Sequence, residues 1–331
     1  MVMKKISVRS LLLSMVFMVA GAMLFSCSKS STEPEGQGAN GGNNNNQEVF
    51  QRSTNTSNGI EYRTGNAPVI FSAPHGGSSE GTYLTKRTSS NCPDPDFATV
   101  MDANTVELAN LIDSIFYAKT GKYPYVIIAH VSRKYVDFNR KKVNACPKNS
   151  PNNEYVWDVY HGWIKKAEEY VEKEFGSGLL LDIHGQSHSV KQVEIGYCLS
   201  ASELDLSDAK LSGDSKYLFD FSMNRLVGNN KSGSSFTDLL RGPFSLGSLM
   251  YKNGLACVPH SNNPSPGDLP YFNGGYITYM YGSSEEIGKI DAVQLEFDNV
   301  ARQDANRKKT ATALVDAVVE FINTHYKVDK L

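Results

Sequence analysis

The stretch that most constrains this chain is Gly178-Leu179-Leu180-Leu181-Asp182-Ile183-His184-Gly185. A short apolar run bounded by glycines reads as a buried central strand of an α/β sheet. The run stops abruptly at a histidine, and the carboxyl ends of strands are where open α/β sheets bind ligands. Asp182 lies two residues earlier, so on a strand it shares a face with His184 and can orient a metal-bound imidazole. One such histidine is equally compatible with ordinary hydrogen bonding at a strand end. A second one changes the weighing: the apolar run 68–73 ends in Pro74-His75-Gly76-Gly77.

Further elements follow from pattern. Residues 60–63 read as a short edge strand, and 125–129, 192–199, 256–259 and 292–297 as strands. A helix begins near Asp102, its N-cap or first turn. Its apolar side is Val106, Leu108, Ala109, Leu111, Ile112, Ile115 and Phe116, and it ends at Lys119-Thr120-Gly121-Lys122. Residues 156–175 form an amphipathic helix with Trp163, Ala167 and Tyr170 on or near one face, and 301–326 a closing helix. Residues 203–253 carry little pattern beyond helical stretches at 215–226 and 236–241. The run Tyr276-Ile277-Thr278-Tyr279-Met280-Tyr281 reads as a strand with aromatic packing in preference to a segment that offers a phenol to the substrate. Alternating strands and helices argue for an α/β fold with a mixed, largely parallel sheet flanked by helices.

The first 26 residues stand apart. Lys4, Lys5 and Arg9 precede an apolar stretch from Leu11 to Phe25, which reads as a secretory signal. Leu24-Phe25-Ser26-Cys27 resembles the lipobox of bacterial lipoproteins, with Cys27 as the lipidated residue. Residues 27–56, rich in Ser, Gly, Asn and Gln, read as a flexible tether, and 57–331 as a single domain. The expected location is the bacterial cell envelope, with membrane contact through the lipid anchor only. Loss of Lys4, Lys5 and Arg9 takes the formal net charge from −2 to −5, which gives no reason to expect a nucleic-acid partner. Of five cysteines, Cys92 and Cys146 sit in polar loops and are expected to pair outside the cytoplasm. Cys198 and Cys257 read as buried thiols, and no pair has zinc-ribbon spacing.

Four stretches carry chemistry: the turn at His75, Asp137-Phe138-Asn139-Arg140, the strand ending in His184, and Val293-Gln294-Leu295-Glu296. A catalytic zinc takes three protein ligands and leaves an open position. His75 and His184 supply two, and a carboxylate must supply the third. Glu296 could take a proton as a general base, and Asn139 with Arg140 could either grip a substrate carboxylate or form a solvated turn with a surface ion pair. Among the other histidines, His161 reads as structural, His188 as a pocket or surface residue and His260 as a loop residue. His130 shows no partner and His325 reads as solvated. A serine hydrolase is disfavoured, since no Gly-x-Ser-x-Gly elbow occurs.

With these motifs in hand, the chain resembles the N-formylglutamate amidohydrolase family, a zinc carboxypeptidase-like and deacylase-like group. The matching features are the Ser72-Ala73-Pro74-His75-Gly76-Gly77 turn, the segment from Asp102 to Ala109, Ser132-Arg133 with Asp137 to Arg140, Asp182 to Gly185, and Gln294-Leu295-Glu296, in that order from about residue 60 onward. The resemblance implies a zinc carboxypeptidase-like (phosphorylase/hydrolase-like) fold, a bound Zn2+ and hydrolysis of an amide C–N bond in a small acyl-amino-acid or peptide substrate bearing a carboxylate. It implies His75 and His184 as metal ligands, Glu296 as base, Asn139 and Arg140 as the carboxylate clamp, and Arg133 on the substrate or the developing oxyanion. The third ligand falls to Asp102 or Glu80, with Asp102 preferred. The competing expectation is a non-catalytic surface-binding lipoprotein on the same fold.

Overall fold

The computed structural model describes residues 50–331. The signal segment, Cys27 and most of the tether lie outside the described residues. The strands are β1 (Thr54–Ser57), β2 (Ile60–Arg63), β3 (Val69–Ala73), β4 (Tyr125–Ala129), β5 (Leu179–Gly185), β6 (Val193–Gly196), β7 (Cys257–Val258) and β8 (Asp291–Phe297). They form one mixed sheet in the order β1-β2-β4-β3-β5-β8-β6-β7. The central run β4-β3-β5-β8 is parallel, and β2 and β6 flank it antiparallel. This is the α/β architecture that the alternation predicts.

Helices cover both faces. They are α1 (Thr105–Thr120), α2 (Lys142–Ala145), α3 (Pro151–Phe175), α4 (Ala201–Leu204), α5 (Asp208–Gly213), α6 (Ser215–Asp220), α7 (Asn224–Asn229), α8 (Phe236–Arg241), α9 (Leu246–Lys252), α10 (Tyr276–Tyr281) and α11 (Asp304–His325). Alternation along the strands assigns the two cores. Val69, Phe71, Leu179, Leu181, Ile183, Val293, Leu295 and Phe297 pack with α1, α11 and the helices of the 200–255 region. Ile70, Leu180 and Ala292 point the other way, onto α3 and α10. On that second face the next residues along β3, β5 and β8 are Ser72, Asp182, His184, Gln294 and Glu296, all buried. One face thus turns from apolar to polar as its strands approach their carboxyl ends.

Several expectations are corrected. Residues 54–56, expected in the tether, form β1 together with Ser57, paired with β2 along its length, so β2 is not the edge. Arg52 anchors this segment through two bonds to Asp113, at 2.9 and 2.7 Å. Residues 276–281 are helical despite strong β formers. β6 already occupies the edge of β8, and the helix buries Ile277, Thr278 and Tyr281, which lie on one helical face. The helix expected over 215–226 breaks at Phe221–Met223, because the Ser222 backbone is drawn into pairing with Tyr197, Ser283 and Ala292. Cys92 and Cys146 are buried but free: the Cys92 thiol reaches Asn144 O at 2.8 Å and Cys146 O at 3.4 Å, not the other sulfur. His325 is buried, between Ser232 and Phe244 O, and His130 pairs with Glu61 at 2.8 Å.

The alternating charges Arg52, Asp113, Arg63 and Glu61 knit the first strands to α1. A chain beginning at Phe50 is therefore expected to keep the full-length melting temperature, whereas one beginning at Asn58 loses β1 and the Arg52 pair. Thermal melts should show a fall on the order of 5 °C for the shorter chain. An unchanged melting temperature would show that β1 contributes nothing.

Candidate metal centre

Three strand ends and one loop converge. His75 lies two residues past the end of β3, His184 sits near the end of β5, and Glu296 stands opposite His184 in the β5–β8 register. Asp102 arrives from the loop before α1. It is not the helix cap: Asn104 holds that position with a left-handed backbone, φ 68°. Its peptide N–H instead donates to His75 O at 3.0 Å, and its carboxylate accepts from Gly185 N at 3.1 Å.

These contacts place Asp102 Oδ2 3.3 Å from His184 Nδ1 and 3.5 Å from His75 Nδ1. One ligand atom from each of His75, Asp102 and His184 lies within 4.8 Å of the others. Glu80 is exposed and outside this group. Both imidazoles are held from behind in the same way. His75 Nε2 donates to Asp137 Oδ1 and His184 Nε2 to Asp182 Oδ2, each at 2.7 Å. With each Nε2–H donated to a carboxylate, each Nδ1 lone pair faces the shared point. His75 Nδ1 is buried and has no hydrogen-bond partner among the described residues. An orphaned nitrogen lone pair, a second imidazole and a carboxylate aimed at one point are a donor set that fits a divalent cation of zinc type.

Electrostatics agree. Burial pushes Asp102 up, but the His184 and His75 imidazoles outweigh it and hold the carboxyl well below its usual range. Burial pushes His184 down, but Asp182, Asp102 and Glu296 hold it well above its ordinary value. The pocket demands positive charge at this point, which a proton or a metal ion supplies. Asp137 is fully buried. His75, Arg133 and Arg87 outweigh the burial and keep it ionised. Glu296 is the exception. Burial, then Asp102, Glu194 and Asp182, push it up to about 8 against the pull of His184.

The group opens into a cleft of about 880 Å³. Arg133 lines it with Nε held by Asp137 Oδ2 at 2.8 Å. Arg140 lines it too, with Nη1 on Asn139 O at 3.0 Å and Nε 3.4 Å from Asp94. Tyr276 and Tyr279 present phenols from α10. Asn139 reaches the cleft wall but is only 4% exposed, and its amide is committed. Its Oδ1 accepts from Ile277 N at 2.9 Å, and its Nδ2 donates to Gln294 Oε1 at 3.2 Å. Asn139 therefore braces the cleft wall rather than offering a free clamp. Gly275 permits this approach, since a Cβ there would meet Asn139 Nδ2 at 2.1 Å.

Sequence reasoning assigned no role to Asp137, Glu194, Arg87 or Arg302. Asp137 stood inside a recognised motif, and its spacing of four from Arg133 was a usable signal. Glu194 pairs with Glu296 in the β6–β8 register, accepts from His188 Nδ1 at 2.7 Å and from Phe272 N at 2.8 Å. His188 is thus a half-buried residue that stacks on Phe272. His161 is structural, as expected, and His260 packs on Tyr251.

With metal removed, Glu296 gives a signed pH effect. Its proton is held up to about pH 8 in the fold, against an ordinary value near 4.5. The folded state then binds more protons than the unfolded state between those values, so this group's contribution to stability falls as pH rises through that window. In chelated protein, the melting-temperature advantage of Glu296→Gln over the parent is expected to grow from near zero at pH 5 to several degrees above pH 8. A difference that stays flat with pH would show that the pocket does not hold that proton.

No family model and no curated protein matches the sequence. Solved structures overlap with it loosely. An N-formylglutamate amidohydrolase from Ralstonia eutropha shares 12% identity at a TM-score of 0.43, with 77% of this chain and 93% of that one covered. A putative carboxypeptidase A from Shewanella denitrificans shares 12% at 0.35, covering 81% of this chain and 61% of that one. An N-acetylmuramyl-L-alanine amidase from Mycobacterium smegmatis shares 11% at 0.30, covering 77% and 96%.

Proposed function

We propose that the chain is a zinc-dependent amidohydrolase that cleaves an amide C–N bond in a small acyl-amino-acid or peptide substrate bearing a carboxylate. The observation that carries this reading is the pair of Nδ1 atoms facing Asp102, each imidazole backed by its own buried aspartate. His75, Asp102 and His184 would hold the ion. When bound, zinc supplies Lewis acidity to a carbonyl oxygen and to water. Glu296 is the group that holds and moves a proton. It is buried beside His184, and its Oε1 accepts from Gln294 Nε2 at 2.9 Å. A carboxylate with raised proton affinity suits a group that takes a proton at attack and returns it to the departing amine.

Arg133 aims a guanidinium into the cleft from a fixed Nε, where it would stabilise charge growing on the carbonyl oxygen. Arg140 would take the substrate carboxylate through its fork. Export and lipidation at Cys27 complete the proposal and would hold the enzyme at the bacterial cell envelope, in contact with the membrane through that anchor only.

Metal analysis with a substrate panel tests this. Protein purified without chelator is expected to carry about one equivalent of zinc, and His184→Ala to lose metal and activity together. Asp182→Asn is expected to weaken metal binding by roughly 10–100-fold. Glu296→Gln should keep its zinc while turnover falls by roughly two to four powers of ten. Arg140→Ala should raise KM for substrates with a free carboxylate and leave their neutral amides little changed. Ligand binding without hydrolysis of any panel member would favour a non-catalytic binding protein instead.

A further inference from the structure

The turn that carries Asn139 and Arg140 lies outside any strand or helix, yet Phe138 and Asn139 are buried. Two side chains one helical turn apart on α3 reach its backbone. Trp157 Nε1 donates to Arg140 O at 3.1 Å, and His161 Nε2 donates to Phe138 O at 3.0 Å. The two rings stack with centroids 3.8 Å apart. Tyr281 O–H donates to His161 Nδ1 at 2.8 Å, which fixes the proton on Nε2. Burial pushes His161 down to about 3, so the ring stays neutral and keeps this donor pattern at any working pH.

The two carbonyls held this way flank Asn139. Arg140 itself is loosely anchored: its side chain is 27% exposed and, among the described residues, is tied only to Asn139 O and to Asp94 at 3.4 Å. The aim of its guanidinium therefore depends on where its backbone is fixed.

We propose that Trp157 and His161 are positioning residues, a two-point clamp on the Phe138 and Arg140 carbonyls that directs Arg140 into the cleft to receive a substrate carboxylate. The clamp is read from geometry, and only the identity of what Arg140 receives rests on the proposed amidohydrolase function.

The test has two arms, both on full-length, zinc-loaded protein. In the first, amide hydrogen exchange is followed across residues 138–141. Trp157→Phe keeps an aromatic ring and removes the N–H, and is expected to speed exchange there about ten-fold with zinc content unchanged. His161→Gln, which retains a donor, should stay closer to the parent than His161→Leu. In the second, N-formyl-L-glutamate is titrated calorimetrically in the Glu296→Gln background, where its turnover is expected to be slowed by roughly two to four powers of ten. Adding Trp157→Phe is expected to weaken binding about five-fold, and to have no further effect once Arg140→Ala is present. Unchanged exchange at 138–141 in both Trp157→Phe and His161→Leu overturns the clamp. So does an equal loss of affinity with and without Arg140. If the parent does not bind the probe at all, the proposed substrate class fails, and the exchange arm alone decides the clamp.

Discussion

The parallel register of β5 on β8 sets Leu179 against Asp291, and through it Asp182 against Gln294 and His184 against Glu296. Side chains alternate along a strand, so a slip of one residue on β5 would drive Leu181 and Ile183 into the cleft and turn Asp182 and His184 onto the α1 and α11 core. Burying an unpaired carboxylate there would cost several kcal/mol on top of the lost apolar burial. The register is therefore fixed by packing on one face, and chemistry on the other face inherits it. Ser72 beside Asp182 and Glu194 beside Glu296 extend the same rule to β3 and β6.

Five carboxylates crowd this small volume, and their compensation is uneven. Asp137 has His75, Arg133 and Arg87; Asp182 has His184 and the Ser72 hydroxyl; Asp102 has Gly185 N and two imidazoles; Glu194 has His188 and Phe272 N. Glu296 has the Gln294 amide as its hydrogen-bond partner. A buried carboxylate with so little support is costly to keep ionised, which is why its proton affinity is high. Groups with full support orient the imidazoles, while the one with least support is the one able to exchange a proton at modest cost.

How much of this was legible depended on whether a signal was local. Apolar runs ending in His75, His184 and Glu296 marked three strand ends, because burial on both faces leaves a continuous hydrophobic signature. Asp102 was readable as a candidate but not separable from an N-cap, since the same residue type serves both uses. The roles of Asp137 and Glu194 needed the sheet order, which no window of sequence contains. Residues 276–281 misled because β propensity describes a fit to a half-buried pleated surface, and the edge of β8 was already taken by β6. Residues 54–56 misled because their polar side chains are exposed, and what holds them is backbone pairing and the reach of Arg52 to Asp113.

The loops around the cleft obey a different rule from the sheet. They have few ladder partners, so their carbonyls must find donors elsewhere. Two buried arginines supply them. Arg87 donates to Ala98 O at 2.8 Å and Arg133 O at 3.0 Å, joining the loop before α1 to the loop after β4. Arg302 donates to Phe297 O, Gln186 O and Ala103 O, joining the ends of β8 and β5 to the approach of Asp102. Gly185 leaves the room for it, since a Cβ there would stand 2.3 Å from the Arg302 guanidinium carbon. A guanidinium carries five N–H donors in a rigid plane, so one residue can hold several carbonyls from segments far apart in sequence. The same device recurs on a smaller scale in Trp157 and His161, each giving one N–H to the turn beneath Arg140. The cleft is thus a set of irregular segments held by side-chain donors, while the strand-end groups stand on the rigid sheet. That division fixes His184 and Glu296 through the strands themselves, while His75, Asp102 and the other loop groups are fixed through side-chain and backbone donors.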